Sequence, residues 1–347
     1  MRLIQFEIPE SGRRVGMLVE NEVYDLTSVV PTWFRVIDVF HAAIEFGRTF
    51  SETVSDALEE RSFDRLGYSE LLDAEPRGSH PWICAPVDHA DEHRVLISGT
   101  GLTHTGGMES RDRMHADETE TTAPQTDSAR MFQLGIDGGK PSAGSRGVAP
   151  EWFYKGNGYN LRGPRVPLGI PGFALDGGEE PEIAAVYVIG DDGVPNRLGF
   201  CLGNEWSDHP FEKLNYLYLA PSKLRTCAIG PELVTDLDFS SLNLRCTVRR
   251  GTETIYDSGP LLSGEENMSH SLANCEDHHF KFPQHRRPGD IHIHFFGTSK
   301  LSFSDRSWKY QDGDVVTVAS GQLGAPLINR VLHRQNGESV VSVVPVI

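Results

Sequence analysis

The chain has 347 residues, 38% hydrophobic and 23% charged, enough for one large globular domain with a smaller companion and too apolar for a disordered chain. Its 49 acidic against 32 basic side chains give a formal net charge of -17, a field that repels phosphate backbones and anionic membrane surfaces and so argues against nucleic-acid and membrane partners. That field also repels a carboxylate substrate at long range, so a site for one must carry its own positive charge, from a metal ion or from buried Lys and Arg.

In chain order, Arg2 to Glu7 alternates apolar with polar residues, Glu20-Asn21-Glu22 reads as a turn, and Val23 to Leu26 resumes the alternation, which predicts a β-hairpin. Val36, Val39, Phe40, Ala43 and Ile44 fall at helical spacing, and Ser51 to Leu72 continues in that manner, so one or two amphipathic helices are expected. Pro76 to Pro86 reads as a linker, giving a small N-terminal α+β domain over residues 1-80 and a larger domain over 81-347 that opens with the strand Arg94 to Ile97. Residues 105 to 150 are polar and Gly-, Thr-, Asp- and Ser-rich, with one amphipathic piece at Ser128 to Leu134, and are expected to form a long loop or lid. Beyond them the pattern is β-rich: Ile183 to Ile189, Leu198 to Leu202, Leu242 to Val248, Asp290 to Phe296 and Asp314 to Ala319 read as strands, and Gly264 to His279 as a helix. The fold class is therefore α+β with strands dominant. Cys84, Cys201, Cys227, Cys246 and Cys275 lack Cys-x-x-Cys spacing and read as reduced core thiols; with no apolar run of about 18 residues, the expected location is the cytoplasm.

The densest signal is Glu180-Pro181-Glu182 at the head of an apolar strand. Residues two apart on a strand project to one face. The turn at Asp191 to Asn196 returns the chain, and if Gly190 pairs with Arg197, the register sets Glu182 opposite Glu205. Three carboxylates on one spot repel one another unless a cation compensates them, and all-oxygen ligation selects a hard ion: Mg²⁺, with Mn²⁺ or Ca²⁺ as alternatives. A lone Glu-x-Glu on an exposed face is merely solvated. Here Pro181 removes a ladder donor and marks an edge or bulge, where sites are common.

With Gly199-Phe200-Cys201-Leu202-Gly203-Asn204-Glu205 following, the segment resembles the fumarylacetoacetate hydrolase superfamily, in which Glu-x-Glu opens a strand ending in Ile-Gly and a Gly-Tyr-x-x-x-Asn-Asp-like element supplies the third metal ligand. Glu205 stands where the family has Asp, and Asp208 is a reserve ligand. Further matches follow in order: Pro221-Ser222-Lys223 with Gly230-Pro231, then Pro288-Gly289-Asp290 through Gly297-Thr298, then Gly313-Asp314. Glu151-Trp-Phe-Tyr-Lys155 and the opening Met1 to Phe6 hairpin are similar too. The resemblance implies a mixed β-sheet roll or barrel behind the small N-terminal domain, a homodimer, and a small 2-keto acid as substrate.

One stretch departs from the pattern. The superfamily's hydrolases carry Gly-Leu-Asn-Tyr followed by a His and a Glu that activate water, whereas here His104 stands in the Tyr position, the His position is glycine, and Glu109 lies five residues on. With Gly-Asn-Glu-Trp-Ser-Asp and Phe-Tyr-Lys-Gly, the chain looks like the branch of 2-keto-3-deoxy-pentonate dehydratases. That resemblance implies loss of water from a 2-keto-3-deoxy sugar acid to a 2,5-dioxo acid. It casts Lys223 as the base, Glu109 as its rival and His104 as the acid, with Ser110, Arg111, Lys155 and Thr298 holding substrate. A diketo-acid carbon-carbon hydrolase and a non-catalytic sugar-acid binder are the alternatives. His292 and His294, one face of a strand, with His278-His279 nearby, form a competing candidate for zinc, though nothing at suitable spacing completes the set.

Overall fold

The computed structural model describes residues 1–59, 62–109, 126–334 and 340–346. The chain opens with a meander, β1 (Arg2–Ile8), β2 (Gly12–Val19) and β3 (Glu22–Asp25), paired antiparallel as the alternation requires. The helix Val36–Phe46 buries Val36, Val39, Phe40 and Ala43 along one stripe and ends at Gly47, whose φ of 62° is left-handed. The helix Phe50–Leu58 starts in a capping box between Thr49 and Glu52. It does not run on to Leu72. Arg65–Gly67 forms β4 against β3, and only then does the helix Tyr68–Asp73 begin, so sheet pairing overrides the helical spacing there. Inside the expected linker, Trp82–Ile83 (β5) pairs with Phe6 and Glu7 of β1.

The remaining strands are β6 (Val95–Gly101), β7 (Glu151–Asn157), β8 (Leu161–Arg162), β9 (Leu168–Pro171), β10 (Pro181–Ile189), β11 (Pro195–Asn204), β12 (Cys227–Ile229), β13 (Leu233–Val234), β14 (Leu242–Arg250), β15 (Glu253–Asp257), β16 (Leu261–Ser263), β17 (Ile291–Phe295), β18 (Val315–Ala319) and β19 (Leu327–Arg334). Among the described residues they form two mixed sheets. The larger runs β4-β3-β2-β1-β13-β11-β10-β17-β6-β7, with β5, β8 and β12 attached; the smaller runs β15-β14-β18-β19-β9, with β16 on β14. The opening meander thus extends the large sheet through the pairing of β1 with β13. The expected roll or barrel does not close: β4 and β7 end the sheet unpaired with each other among the described residues.

Strand β10 lies at the centre and is buried along its whole length, Pro181 to Ile189. Its odd residues Ile183, Ala185, Tyr187 and Ile189 pack towards Leu244, Cys246, Val316 and Val318 of the small sheet. Its even residues Ala184, Val186 and Val188 pack with Val36, Val39 and Phe40 of the N-terminal helix. Burial on both faces explains the continuous apolar run. All five cysteines are free and buried. The expected helix from Gly264 begins at Leu272, capped by Ser271, after a short 3-10 turn at Glu265–Asn267. Asp127–Gly138 is a helix capped by Thr126, and among the described residues no helix is long and apolar enough to cross a membrane.

Candidate metal centre

The hairpin of β10 and β11 builds the site, in a register that the sequence reading placed differently. The turn closes tightly, Gly190 N donating to Val194 O at 2.9 Å, and a bulge between Val186 and Tyr187 absorbs one residue of β11. Glu182 therefore faces Gly203, and it is Glu180 that lies level with Glu205, whose amide donates to Glu180 O at 3.0 Å. The three side chains still converge. One carboxylate oxygen from each of Glu180, Glu182 and Glu205 lies within 4.8 Å of the others, and all three residues are buried. Gly203, opposite Glu182, admits the Phe295 ring: a Cβ there would stand 2.5 Å from it.

Two lysines enter the same space. Lys155 on β7 places Nζ 2.9 Å from Glu205 Oε1, and Lys223, last residue of the helix Leu219–Lys223, places Nζ 2.7 Å from Glu205 Oε2 and also bonds Glu180 Oε1. Both ammonium groups are fully buried, and Lys223 Nζ lies 4.8 Å from the centre of the Phe153 ring. His209 Nε2 meets Glu180 Oε1 at 3.0 Å. Burial pushes the Glu180 carboxyl up, but Lys223 and His209 outweigh it and hold it well below the ordinary carboxylate range. Burial, then the neighbouring Glu205 and Glu180, push Glu182 well above that range, and burial with Glu180 also raises Glu205.

Three carboxylates against two ammonium groups leave the cluster one positive charge short. The shortfall lands on Glu182. Its Oε2 accepts from Gly297 N at 2.7 Å, while its buried Oε1 has no partner. An unpaired buried charge costs several kcal/mol, so Glu182 either holds a proton or faces a cation. An orphaned carboxylate oxygen beside two further carboxylates is the donor set of a hard dication, and these residues fit Mg²⁺, Mn²⁺ or Ca²⁺.

The other sequence candidates are distributed around this core. His104 is buried, and burial pushes its imidazole down to about 4, so it is neutral at neutral pH. Thr103 Oγ1 donates to Phe296 O at 2.6 Å and receives His104 Nδ1 at 2.9 Å, which leaves His104 Nε2 as a bare acceptor with no partner. The same threonine abuts Gly297 (φ 89°), where a Cβ would meet Thr103 Oγ1 at 2.3 Å, so His104 is tied through one backbone segment to the donor of Glu182. Thr298 adjoins it, with Oγ1 on Lys300 O at 3.1 Å. Residues 105–109 are helical and Glu109 is exposed; Ser110 and Arg111 lie outside the described residues. Asp208, the reserve ligand of the sequence, stands outside the group of three. Its carboxylate caps the helix His209–Leu214 through Phe211 N at 3.2 Å and accepts from Leu175 N at 3.0 Å, outside the triad. Sequence reasoning missed His209 and Phe153; the signal available for the first was Asp208-His209-Pro210, a cap and a first-turn proline that fix the histidine at the first helical position.

The histidine pair does not assemble a second metal centre: the glutamate triad is the one set of three or more His, Cys, Asp or Glu placed to hold an ion among the described residues. His292 and His279 bond each other, and His278 Nε2 meets Gly147 O at 3.0 Å instead of joining them.

No family model matches the chain, and no curated protein matches it by sequence. Solved structures do. A 2-keto-3-deoxy-D-arabinonate dehydratase complexed with magnesium and 2,5-dioxopentanoate superposes with a TM-score of 0.68 at 18% identity, over 97% of this chain and 100% of that one. The chain has the fold of the fumarylacetoacetate hydrolase superfamily. Fumarylacetoacetate hydrolase from the psychrophile Exiguobacterium antarcticum matches with a TM-score of 0.59 at 16% identity, over 96% of this chain and 100% of that one. Maleylpyruvate hydrolase from Sphingobium sp. SYK-6, in complex with manganese(II) and pyruvate, matches with a TM-score of 0.57 at 15% identity, over 96% and 99% of the two chains.

Proposed function

We propose that this protein is a divalent-metal-dependent dehydratase of a 2-keto-3-deoxy sugar acid, forming a 2,5-dioxo acid. The observation that carries the metal is the buried triad with its orphaned Glu182 Oε1. The dehydratase whose structure holds magnesium and 2,5-dioxopentanoate, and which matches over nearly the full chain, supports the reaction class. Bound between Glu180, Glu182 and Glu205, the ion would supply a Lewis acid for the oxygens of a 2-keto acid.

This chain's own residues then divide the work. Lys223, whose Nζ is buried between Glu180 and Glu205, is the proposed base for the C3 proton. Glu109, exposed at the end of the helical stretch 105–109, is the alternative base. His104 is proposed to serve the C4 hydroxyl: its bare Nε2 would receive the proton taken from C3 and pass it to the departing hydroxide, so that one water leaves. Lys155 and Thr298, with Ser110 and Arg111, are assigned to the substrate's carboxylate and hydroxyls. The deciding experiment incubates magnesium-loaded protein with a panel of 2-keto-3-deoxy pentonates and follows substrate loss and semialdehyde formation. Cleavage of a diketo acid with no dehydration would replace this reading with the hydrolase, and binding with no turnover of either would replace it with a binder.

A further inference from the structure

Away from the metal centre, a cleft of about 910 Å³ gathers Arg13, Arg77, Arg162, Arg165, Arg330 and Arg334. Three of these are neutralised: Arg13 by Asp88 at 2.5 Å, Arg165 by Asp73 at 2.7 Å, and Arg330 by Glu75 at 3.7 Å. Arg77 is exposed with no ion pair among the described residues, and Arg162 and Arg334 are not neutralised either. Among the described residues neither has a carboxylate partner, and the half-buried Arg162 spends only Nη1, on Tyr159 O at 2.7 Å and Leu161 O at 2.8 Å. Burial, then the charge of Arg334, push the Arg162 guanidinium below its ordinary range. Glu7, Glu75, Asp88 and Glu92 line the same cleft, but Glu7 and Asp88 pair with Arg13 and Glu75 with Arg330, and Glu92 attracts Arg162 without pairing with it, so among the described residues two neighbouring guanidinium groups are left for an anion to complete.

We propose that this cleft is a second binding site, for a small phosphorylated metabolite whose phosphate sits between Arg162 and Arg334. A phosphate dianion matches two unpaired guanidinium charges and offers each a face for bidentate hydrogen bonding, whereas a single carboxylate satisfies one. Trp82 and Tyr159 also line the cleft and give flat apolar surface to the body of such a ligand. The position is fixed by the sheet: Arg162 pairs with Ala228, and Ala228 with Asn204, the neighbour of Glu205. Two strand spacings, roughly 10 Å, therefore separate the backbone of Arg162 from that of Asn204.

The test is isothermal titration calorimetry of the full chain in metal-free buffer with inorganic phosphate, pyrophosphate and citrate. Saturable binding of pyrophosphate or phosphate is expected, weakened at least about tenfold in both Arg162→Ala and Arg334→Ala, partly restored in Arg162→Lys, and unchanged in Glu182→Gln. Circular dichroism establishes that each variant is folded before it is titrated. Absence of saturable heat with either phosphate probe overturns the proposal, as does binding that survives both arginine substitutions. Binding of citrate alone overturns the assignment to phosphate.

Discussion

Strands β10 and β17 lie side by side, and each offers two ligand-type residues two positions apart: Glu180 and Glu182 at the head of one, His292 and His294 along the other. The outcome differs because the two sets balance their hydrogen bonds differently. Trp152 Nε1 donates to His279 Nδ1 at 3.1 Å, which leaves the proton of His279 on Nε2, and this donates to His292 Nδ1 at 2.9 Å. His294 sits between Ser98 Oγ at 2.9 Å and Thr100 Oγ1 at 2.7 Å. Neutral rings occupy this chain's acceptor nitrogens, and the one atom left without a partner, His292 Nε2, carries a proton, so no lone pairs are left to converge on a common point. The glutamates, on the opposite face of the sheet with Ala184, converge with a charge left over. Spacing in a sequence brings ligand types together; an uncompensated, convergent set of lone pairs is what makes a metal centre.

The sharpest break of that contrast is ion removal. If the triad holds the catalytic ion, chelation or Glu182→Gln should reduce turnover by about two orders of magnitude or more, since Lewis-acid stabilisation contributes several kcal/mol, and added Mg²⁺ should restore the chelated wild type only. Turnover unchanged after exhaustive chelation would place the chemistry elsewhere. Lys223→Met comes next, with kcat lowered by about 10² to 10⁴ if the amine is the base, while the metal-induced rise in melting temperature persists. His209→Ala tests support behind a ligand: metal affinity is expected to fall by about 10- to 100-fold through loss of the bond to Glu180, as measured by calorimetric titration with Mn²⁺.

Much of this contrast was legible in the sequence. Glu180 and Glu182 share a face because a strand has period two, and Glu205 returns to them because a turn separates two apolar runs. The register was not legible. Ile183 to Ile189 is apolar on both faces, so alternation gives no phase, and the bulge at Val186 leaves no compositional trace. Nor does a lysine in a strand declare that its ammonium is buried, so the charge count that isolates Glu182 needed the fold. The helix read through Leu72 failed for a related reason: three residues paired to β3 outweigh a local periodicity.

The histidine half of the contrast predicts a pH response. Burial pushes His292 and His294 down to about 3, whereas unfolded histidine titrates near 6.5, so between these values the unfolded chain binds more protons than the folded one. Stability contributed by the neutral rings is complete above about 6.5 and is lost as pH falls towards 3, at up to about 1.4 kcal/mol per pH unit for each ring that stays neutral. Urea midpoints measured at pH 7 and pH 5 should show the drop, and His292→Phe should flatten it; equal slopes in the two proteins would mean that His292 is not held neutral by its surroundings.

The smallest expected effect separates a ligand from a neighbour of ligands. Asp208 is three residues from Glu205 and was a candidate for the ion, yet its oxygens serve the amides of Phe211 and Leu175 and the Arg225 guanidinium at 3.3 Å. Removing a helix cap costs about 1 kcal/mol, and removing the charge facing the buried Arg225 costs more, so Asp208→Asn, which keeps an acceptor oxygen for the cap, should lose stability in urea denaturation but leave Mg²⁺ affinity close to wild type, while Asp208→Ala should lose the cap as well. A ligand behaves otherwise: in Asp208→Asn, the lost charge would weaken Mg²⁺ binding even where the helix is intact. Comparing the two substitutions by metal titration therefore reads the charge apart from the cap, and a large loss of affinity in Asp208→Asn would extend the centre beyond the three glutamates.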